Sequence, residues 1–167
     1  MFIYCTDRVA IMTATRCGHT NMYNYFGIEP HVGTEYTVRD WREHHNPIVV
    51  LRNPLDRVVS AVSWVTQWVK HLGLDTDASL AVHSLPYMNN ILVGCNFRII
   101  DFYDLEQYIP RTGLQSYRTD SRAEHADVYV ENSIYTLREL EREVELYHDF
   151  MANKERISIV EWRELTR

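Results

Sequence analysis

A group of residues suited to binding an oxyanion lies between Pro47 and Ser60. The guanidinium of Arg52 can form a planar, two-pronged contact with a phosphate, and the hydroxyl of Ser60 can donate to the same anion. Arg57 stands between them, but an arginine in a first helical turn more often forms a structural ion pair than a ligand contact. By residue type alone, Arg52 and Ser60 can form a phosphate site, or Arg52 can form a surface ion pair while Ser60 faces a neighbouring helix.

The elements that would position this site are a strand and a helix. Ile48 to Leu51 is a short run of mostly β-branched apolar residues, the pattern of a strand buried on both faces of a parallel sheet. Asn53 is suited to cap a helix that begins at Pro54, and apolar residues then recur at helical spacing until Gly73. Arg52 thus leaves the carboxyl end of a strand beside a helix N-terminus, where open α/β sheets bind ligands and anions.

A second candidate loop follows the apolar run Val9 to Met12 and leads into a short predicted helix that Gly27 ends. Its sequence is Thr13-Ala14-Thr15-Arg16-Cys17-Gly18-His19-Thr20-Asn21. A loop between the first strand and helix of an α/β chain is where phosphate-binding loops belong. Compared with the nucleoside-triphosphate pattern GxxxxGK[ST], it keeps Gly18 but has His19 in place of the lysine, so it matches that pattern poorly.

The two stretches resemble the nucleotide-binding motifs of sulfotransferases that use 3′-phosphoadenosine-5′-phosphosulfate (PAPS). Arg-Asn-Pro-x-Asp-Arg-x-x-Ser is similar to their 3′-phosphate motif, and the resemblance implies that Arg52 and Ser60 hold that phosphate. The earlier loop is similar to their 5′-phosphosulfate loop, with Arg16 where a lysine usually stands, which implies a catalytic role for Arg16. The residues that the resemblance assigns to the cofactor are Arg16, Cys17, Gly18, His19, Thr20, Asn21, Arg52 and Ser60.

Sulfuryl transfer also needs a base for the proton of the acceptor. His31 lies about as far before the 3′-phosphate motif as the catalytic histidine does in soluble sulfotransferases, so the resemblance makes His31 the candidate catalytic base. Glu35 and His83 stay open as alternatives, because some carbohydrate sulfotransferases use a carboxylate and His83 begins a stretch suited to an acceptor pocket. Arg118 and Arg122 are candidates to fold over the nucleotide.

Two further elements can be predicted from patterning. Phe97 to Tyr103 is rich in apolar residues and predicts another strand, followed by Asp104. Thr136 and Glu139 form a capping box that opens an amphipathic helix. That helix resembles the closing helix of carbohydrate sulfotransferases, although the match is loose.

Charge and composition bound the classes of partner. A net charge of −6 and a pI near 5.7 provide no overall basic field for nucleic acid or an anionic membrane. Three cysteines without CxxC or Cys/His metal spacing argue against a disulfide framework and a zinc site. No apolar run approaches the roughly 20 residues that cross a bilayer, and no basic segment followed by an apolar one opens the chain. We therefore expect a soluble, cytoplasmic protein that uses no metal.

We expect one sulfotransferase-like domain over residues 1–167, with an α/β, P-loop-like, three-layer fold whose central, mainly parallel sheet is flanked by helices. The resemblance implies transfer of a sulfuryl group from PAPS to a hydroxyl or amine of a small-molecule or glycan acceptor. A P-loop kinase or NTPase remains an alternative, but should have lysine at position 19 and an acidic metal ligand after a strand. A non-catalytic nucleotide- or glycan-binding module on the same fold is the other. Neither the acceptor nor the oligomeric state follows from the sequence.

Overall fold

The computed structural model describes residues 1–32, 47–65, 71–73, 75, 86–110 and 137–167. Its strands are β1 (Phe2–Cys5), β2 (Ala10–Thr13), β3 (His31–Val32), β4 (Ile48–Leu51) and β5 (Arg98–Asp101). Its α-helices are α1 (His19–Phe26), α2 (Pro54–Trp64), α3 (Leu105–Tyr108), α4 (Leu137–Asn153) and α5 (Ile159–Leu165). A π-helix spans Met88–Leu92, and a 3₁₀ turn spans Phe102–Asp104.

The five strands form one sheet in the order β3-β1-β2-β4-β5. β2 pairs with β4, and β4 with β5, in parallel, whereas β1 is antiparallel to both of its neighbours. Four of the five strands therefore run in one direction, and the predicted α/β fold with a mainly parallel sheet is confirmed. The exception is β1, which the Thr6–Val9 turn joins to β2 as a hairpin, with the Thr6 N–H donating to the Val9 carbonyl at 3.0 Å.

Successive side chains of each strand point to opposite sides of the sheet. Both sides are buried. One face packs against α4 and the π-helix through Met12, Val49, Ile99, Leu92 and Phe150. The other face packs against α1, α3 and α5 through Ile11, Val50, Met22, Leu105 and Trp162. Helices thus cover the sheet on both sides, the three-layer arrangement expected from the unbroken apolar run of β4.

The strand ends define one edge of the sheet, which we call the carboxyl edge: the side on which Thr13, Val32, Leu51 and Asp101 end their strands. The register places Thr13 beside Val50 and Leu51 beside Asp101. Because these strands are parallel, the loops that follow them emerge at this same edge. The residues predicted to bind the anion follow β2 and β4 and therefore meet here.

Local signals account for where α1 and α2 begin and end. The Asn53 side chain accepts a hydrogen bond from the Leu55 N–H at 2.9 Å, and Pro54 takes the first helical position, as predicted. Gly27 ends α1 at a φ of 64°, also as predicted.

The predicted continuation of α2 to Gly73 passes through residues 66–70, which lie outside the described ranges. Leu72, expected on the apolar face of that helix, is instead 64% exposed in a turn, so its assignment to that face is wrong. Apolar spacing alone could not predict this exposure, because a helical pattern does not show where the helix stops packing against the rest of the protein. None of the helices in the described ranges is long and apolar enough to cross a membrane.

Candidate anion-binding site

The loop from Ala14 to Gly18 joins β2 to α1 in a tight, partly left-handed path. The Cys17 N–H donates to the Ala14 carbonyl at 3.1 Å, while Arg16 and Gly18 have φ angles of 64° and 84°. Gly18 also lies close to α3, since a Cβ atom placed on it would stand 2.5 Å from Leu105 Cδ2. The loop therefore requires glycine at 18 for two reasons, the positive φ and the close approach.

Two buried arginines hold this loop by its carbonyl groups. Arg52 donates from Nη1 to the Arg16 carbonyl at 2.7 Å, and Arg57 donates from Nε to the Thr15 carbonyl at 3.1 Å. Arg57 is only 2% exposed and also lies over the ring of Tyr87, 4.9 Å from its centroid. These contacts give Arg57 a structural role, through a carbonyl and a ring where the sequence favoured a structural ion pair.

The side chains of the two motifs meet through Arg16 and Ser60. Arg16 donates to the Ser60 hydroxyl oxygen from Nε at 3.2 Å and from Nη2 at 3.1 Å. Its guanidinium also lies 5.7 Å from the ring centroid of Trp64, one turn further along α2. The loop after β2 and the helix after β4 are therefore joined at the carboxyl edge.

Arg52 carries a positive charge into a largely buried position without a carboxylate partner among the described residues. The side chain is 7% exposed, it stacks 4.4 Å from the centroid of Phe102, and its buried Nε has no acceptor. Arg98, 8% exposed at the opposite end of the sheet, also has a buried Nε without an acceptor, but it forms an ion pair with Glu161 through Nη1. Buried charges are ordinarily paired. The surroundings of Arg52 are those of a cation suited to an external anion.

The start of α1 adds backbone donors to this edge. The helical hydrogen-bond ladder begins with the Met22 N–H, which donates to the Gly18 carbonyl at 3.0 Å, so the N–H groups of residues 18–21 precede it. The Thr20 hydroxyl forms no hydrogen bond to any residue in the described ranges. Asn21, the next residue, is 7% exposed. Amides, hydroxyl and Arg16 together form a donor-rich surface next to Arg52.

Cys17 and His19 have other surroundings within the same loop. The Cys17 thiol is fully buried in the core, and burial raises its pKa. The His19 ring is half-buried and stacks on Phe2 with 3.9 Å between the centroids. Its Nδ1 lies 3.0 Å from the Tyr4 hydroxyl, and burial, with Arg16 as a lesser cause, lowers its pKa. Cys17 thus contributes packing, whereas His19 presents a ring at the carboxyl edge.

The predicted base His31 lies on β3, paired with Ile3 of β1. β3 is two strands from β2, or about 10 Å by the usual strand spacing. The alternatives Glu35 and His83 and the candidate nucleotide-covering Arg118 and Arg122 lie outside the described ranges. Their predicted roles stay predictions.

Glu143 is a buried residue that sequence reasoning missed. It is 1% exposed on α4, and its carboxylate accepts from the N–H groups of Tyr87, Met88 and Asn89 at 3.2, 3.1 and 2.8 Å. It thereby holds the start of the π-helix and the Tyr87 ring that covers Arg57. A glutamate in a helix rich in charged residues is expected to be solvent-exposed, so nothing in the sequence indicated that Glu143 is buried.

Carboxylates also lie at this edge, which the sequence interpretation did not anticipate. Asp101 is the last residue of β5, where its Oδ1 accepts from the Tyr103 N–H at 3.1 Å, and burial raises its pKa. Asp56 accepts a hydrogen bond from the Tyr103 hydroxyl. No group of three or more residues able to hold a metal ion occurs within the described ranges.

Comparison of the chain with protein-family models, with curated proteins and with solved structures finds no significant match. A proposal for the function therefore depends on the geometry of the carboxyl edge and on the resemblance of the two motifs that meet there.

Proposed function

We propose that this protein is a PAPS-dependent sulfotransferase whose donor nucleotide binds at the carboxyl edge, across the loop after β2 and the start of α2. The observation that carries the proposal is the buried charge of Arg52, which has no carboxylate partner among the described residues and donates to the backbone of Arg16, the residue that contacts Ser60. Two stretches that are distant in sequence contribute to one donor-rich surface, and each resembles a different part of the same nucleotide site.

The Ser60 hydroxyl is prepared to act as a donor. A hydroxyl has one proton and two acceptor lone pairs. Its oxygen accepts from two nitrogens of Arg16, and no acceptor for its proton occurs among the described residues. The proton is therefore available to a ligand oxygen. Together with Arg52, which contacts the backbone of Arg16, Ser60 supports recognition of a phosphate that carries two negative charges.

Arg16 and the amides at the start of α1 suit the other end of the donor. Sulfuryl transfer proceeds by in-line attack of an acceptor oxygen on sulfur, and negative charge develops on the bridging phosphate oxygen that leaves. A guanidinium and helix N-terminal N–H groups stabilise such charge without a metal ion. PAPS would supply the sulfuryl group, and this chain would supply orientation and charge stabilisation.

The test is thermal stability with nucleotides that differ only at the 3′-phosphate. We expect 3′-phosphoadenosine-5′-phosphate to raise Tm far more than AMP does, because Arg52 and Ser60 would contact the additional phosphate. A ligand at about a hundred times its dissociation constant stabilises by roughly 2.7 kcal/mol, which a melting scan resolves easily. In Arg52→Ala the two nucleotides should give equal shifts, and the ligand-free Tm should fall because the hydrogen bond that holds the Arg16 carbonyl is lost.

Arg98→Ala is the matched control, since Arg98 is equally buried but its charge is paired with Glu161 at the other end of the sheet. It should lower the ligand-free Tm and preserve the difference between the two nucleotides. Equal shifts by AMP and the 3′-phosphorylated nucleotide in the unmodified protein would overturn the proposal. Stronger stabilisation by ATP with Mg²⁺ would favour the kinase or NTPase alternative. Binding without turnover of labelled PAPS would favour the non-catalytic module.

A further inference from the structure

The hydrogen bonds around His19 determine which of its ring nitrogens carries the proton. The Tyr4 hydroxyl lies 2.8 Å from the His19 carbonyl oxygen and 3.0 Å from His19 Nδ1. A carbonyl oxygen can only accept, so the single Tyr4 proton goes to it. The Tyr4 oxygen is then the acceptor for Nδ1, which must carry a hydrogen. This assignment follows from the hydrogen-bond network and leaves Nε2 with the lone pair.

The ring is also held in position. Phe2 stacks on one face with an interplanar angle of 12°, and Tyr4 covers the Nδ1 edge. These two contacts leave the other face and the edge that carries Nε2, and the side chain as a whole is half-buried. Nε2 forms no hydrogen bond with any described residue. An oriented imidazole with an unpartnered basic nitrogen is the arrangement that a general base requires.

The surroundings of the ring disfavour its protonated form. Burial and, to a lesser extent, the guanidinium of Arg16 lower the pKa of His19 below its ordinary value. On the side of β1 its neighbour is the Tyr4 hydroxyl, whose own pKa is raised by burial and by Glu29 and Tyr23. Both shifts favour a protonated Tyr4 hydroxyl and a neutral His19 ring with its lone pair on Nε2.

We infer that His19, rather than His31, is the general base that removes the proton of the acceptor, an inference that rests on the proposed sulfuryl transfer. His19 is the first residue of α1, directly after the loop that carries Arg16. His31 lies on β3, with β1 between it and β2.

The site divides along the carboxyl edge. Arg52 and Ser60 lie on the β4 side of the loop, whereas His19 lies on the β1 side over Phe2. A donor whose 3′-phosphate binds Arg52 would direct its sulfuryl group toward α1. The acceptor would then enter from the β1 side, next to Nε2.

The chemical step balances without a further reactant. The acceptor oxygen forms a bond to sulfur, and its proton moves to His19 Nε2. The bond between sulfur and the bridging oxygen breaks, and its electron pair stays on the 5′-phosphate, next to Arg16 and the α1 amides. The products are a sulfate ester and 3′-phosphoadenosine-5′-phosphate, and the imidazolium returns its proton to solvent.

The test compares His19→Asn with Tyr4→Phe and His31→Ala. Asparagine can keep a donor near the position of Nδ1 and so preserve the contact with Tyr4, but it has no counterpart of Nε2. We expect His19→Asn to lower kcat about 10²- to 10⁴-fold with unchanged affinity for 3′-phosphoadenosine-5′-phosphate. Tyr4→Phe should lower kcat less, because it removes only the orienting hydroxyl, and His31→Ala should leave kcat unchanged. The assay uses ³⁵S-labelled PAPS with 4-nitrophenol, N-acetylglucosamine and water as acceptor probes.

A nitrogen-15 NMR titration of the His19 ring provides a readout that does not depend on turnover. It should show Nδ1–H as the dominant neutral tautomer, with protonation at Nε2, and the acid limb of the kcat/KM profile should follow the same pKa. An Nε2–H tautomer, or full turnover in His19→Asn, would overturn the assignment of His19 while the sulfotransferase proposal stands. A protein that binds neither PAPS nor 3′-phosphoadenosine-5′-phosphate, or that turns over no probe, would overturn both.

Discussion

At Arg16 the backbone conformation favours glycine, whereas the side chain is what the proposed chemistry needs. Its φ of 64° lies in the left-handed region and makes Arg16 the only non-glycine residue there in the described part of the chain. An L-residue in this region is disfavoured by about 1–2 kcal/mol. Such strain is found at functional sites when surrounding contacts enforce it. Here the hydrogen bond from Arg52 to the Arg16 carbonyl holds the backbone, and the contact with Ser60 holds the side chain.

Substitutions at Arg16 should separate strain from function. We expect Arg16→Gly to be more stable than Arg16→Ala by about 1–2 kcal/mol, because only glycine relieves the positive φ. Both should lose about 10²- to 10³-fold in kcat, since a donor to the developing charge is removed, and Arg16→Lys should retain much of the activity. Urea unfolding and steady-state kinetics with labelled PAPS measure the two effects.

Two results would contradict this account of Arg16. Equal unfolding free energies for the glycine and alanine variants would show that the residue is not strained. An increase of KM for PAPS with an unchanged kcat would show that Arg16 binds the nucleotide without acting on the transition state.

At the scale of elements, the junction of the β2 loop with α1 depends on how closely α3 approaches it. Gly18 and Gly27 precede and follow α1 with φ angles of 84° and 64°, but only Gly18 has a neighbour within reach of an added Cβ, Leu105 Cδ2. The two glycines are thus a matched pair that differ in packing and share a positive φ.

Gly18→Ala should therefore destabilise the protein more than Gly27→Ala does. The φ cost is common to both, about 1–2 kcal/mol, and overpacking against Leu105 adds typically 1–3 kcal/mol at position 18 alone. Chemical denaturation of the two variants gives the comparison. Similar losses for both would mean that α3 moves aside without cost, and that the loop is not set by this contact.

A second contact between elements links α4 to the site through Glu143. Its carboxylate satisfies three N–H groups at the start of the π-helix, and the adjacent Tyr87 ring covers the Arg57 guanidinium. Arg57 in turn holds the Thr15 carbonyl of the loop. A helix far from the site in sequence therefore helps to fix the loop's conformation through two intermediate contacts.

At the scale of the whole molecule, burial of tyrosine hydroxyls should make the fold sensitive to alkali. Burial raises the pKa of Tyr147 to about 12, with Asp101 and Asp56 as lesser causes. Burial also raises the pKa of Tyr4 and of Tyr103, the latter further through its hydrogen bond with Asp56. In the unfolded chain these groups ionise near pH 10.

Because the folded-state pKa values lie above the unfolded ones, the folded protein holds more protons above about pH 10. The stability contributed by these tyrosines is complete below that pH and is lost as the pH rises from there through the folded-state values. The free energy of unfolding can be measured in urea between about pH 8 and pH 11, a range that spans the ordinary ionisation of tyrosine. It should fall more and more steeply as the pH rises. In Tyr147→Phe the free energy of unfolding should fall less steeply with pH. The same dependence on pH in both proteins would contradict the contribution assigned to Tyr147.

Much of the framework around the site follows from local sequence. A β-branched apolar run, an asparagine cap and a proline at the first helical position predicted β4 and the start of α2, and Gly27 predicted the end of α1. These signals act through the backbone preferences of a few adjacent residues, so they need no knowledge of the rest of the chain. Arg52 at the end of a buried strand belongs to the same class of prediction.

Only the tertiary structure decided which side chains meet. The antiparallel direction of β1 depends on its hairpin with β2, and the contact of Arg16 with Ser60 depends on how the loop and α2 pack across the sheet edge. The tautomer of His19 depends on Tyr4, and the burial of Glu143 on the π-helix that it contacts. The contacts of Arg16 with Ser60 and of Glu143 with the π-helix join residues far apart in sequence, and their free energy comes from burial and hydrogen bonding in the folded chain. Residue types and spacing cannot encode that geometry, because it exists only once the sheet and helices are packed together.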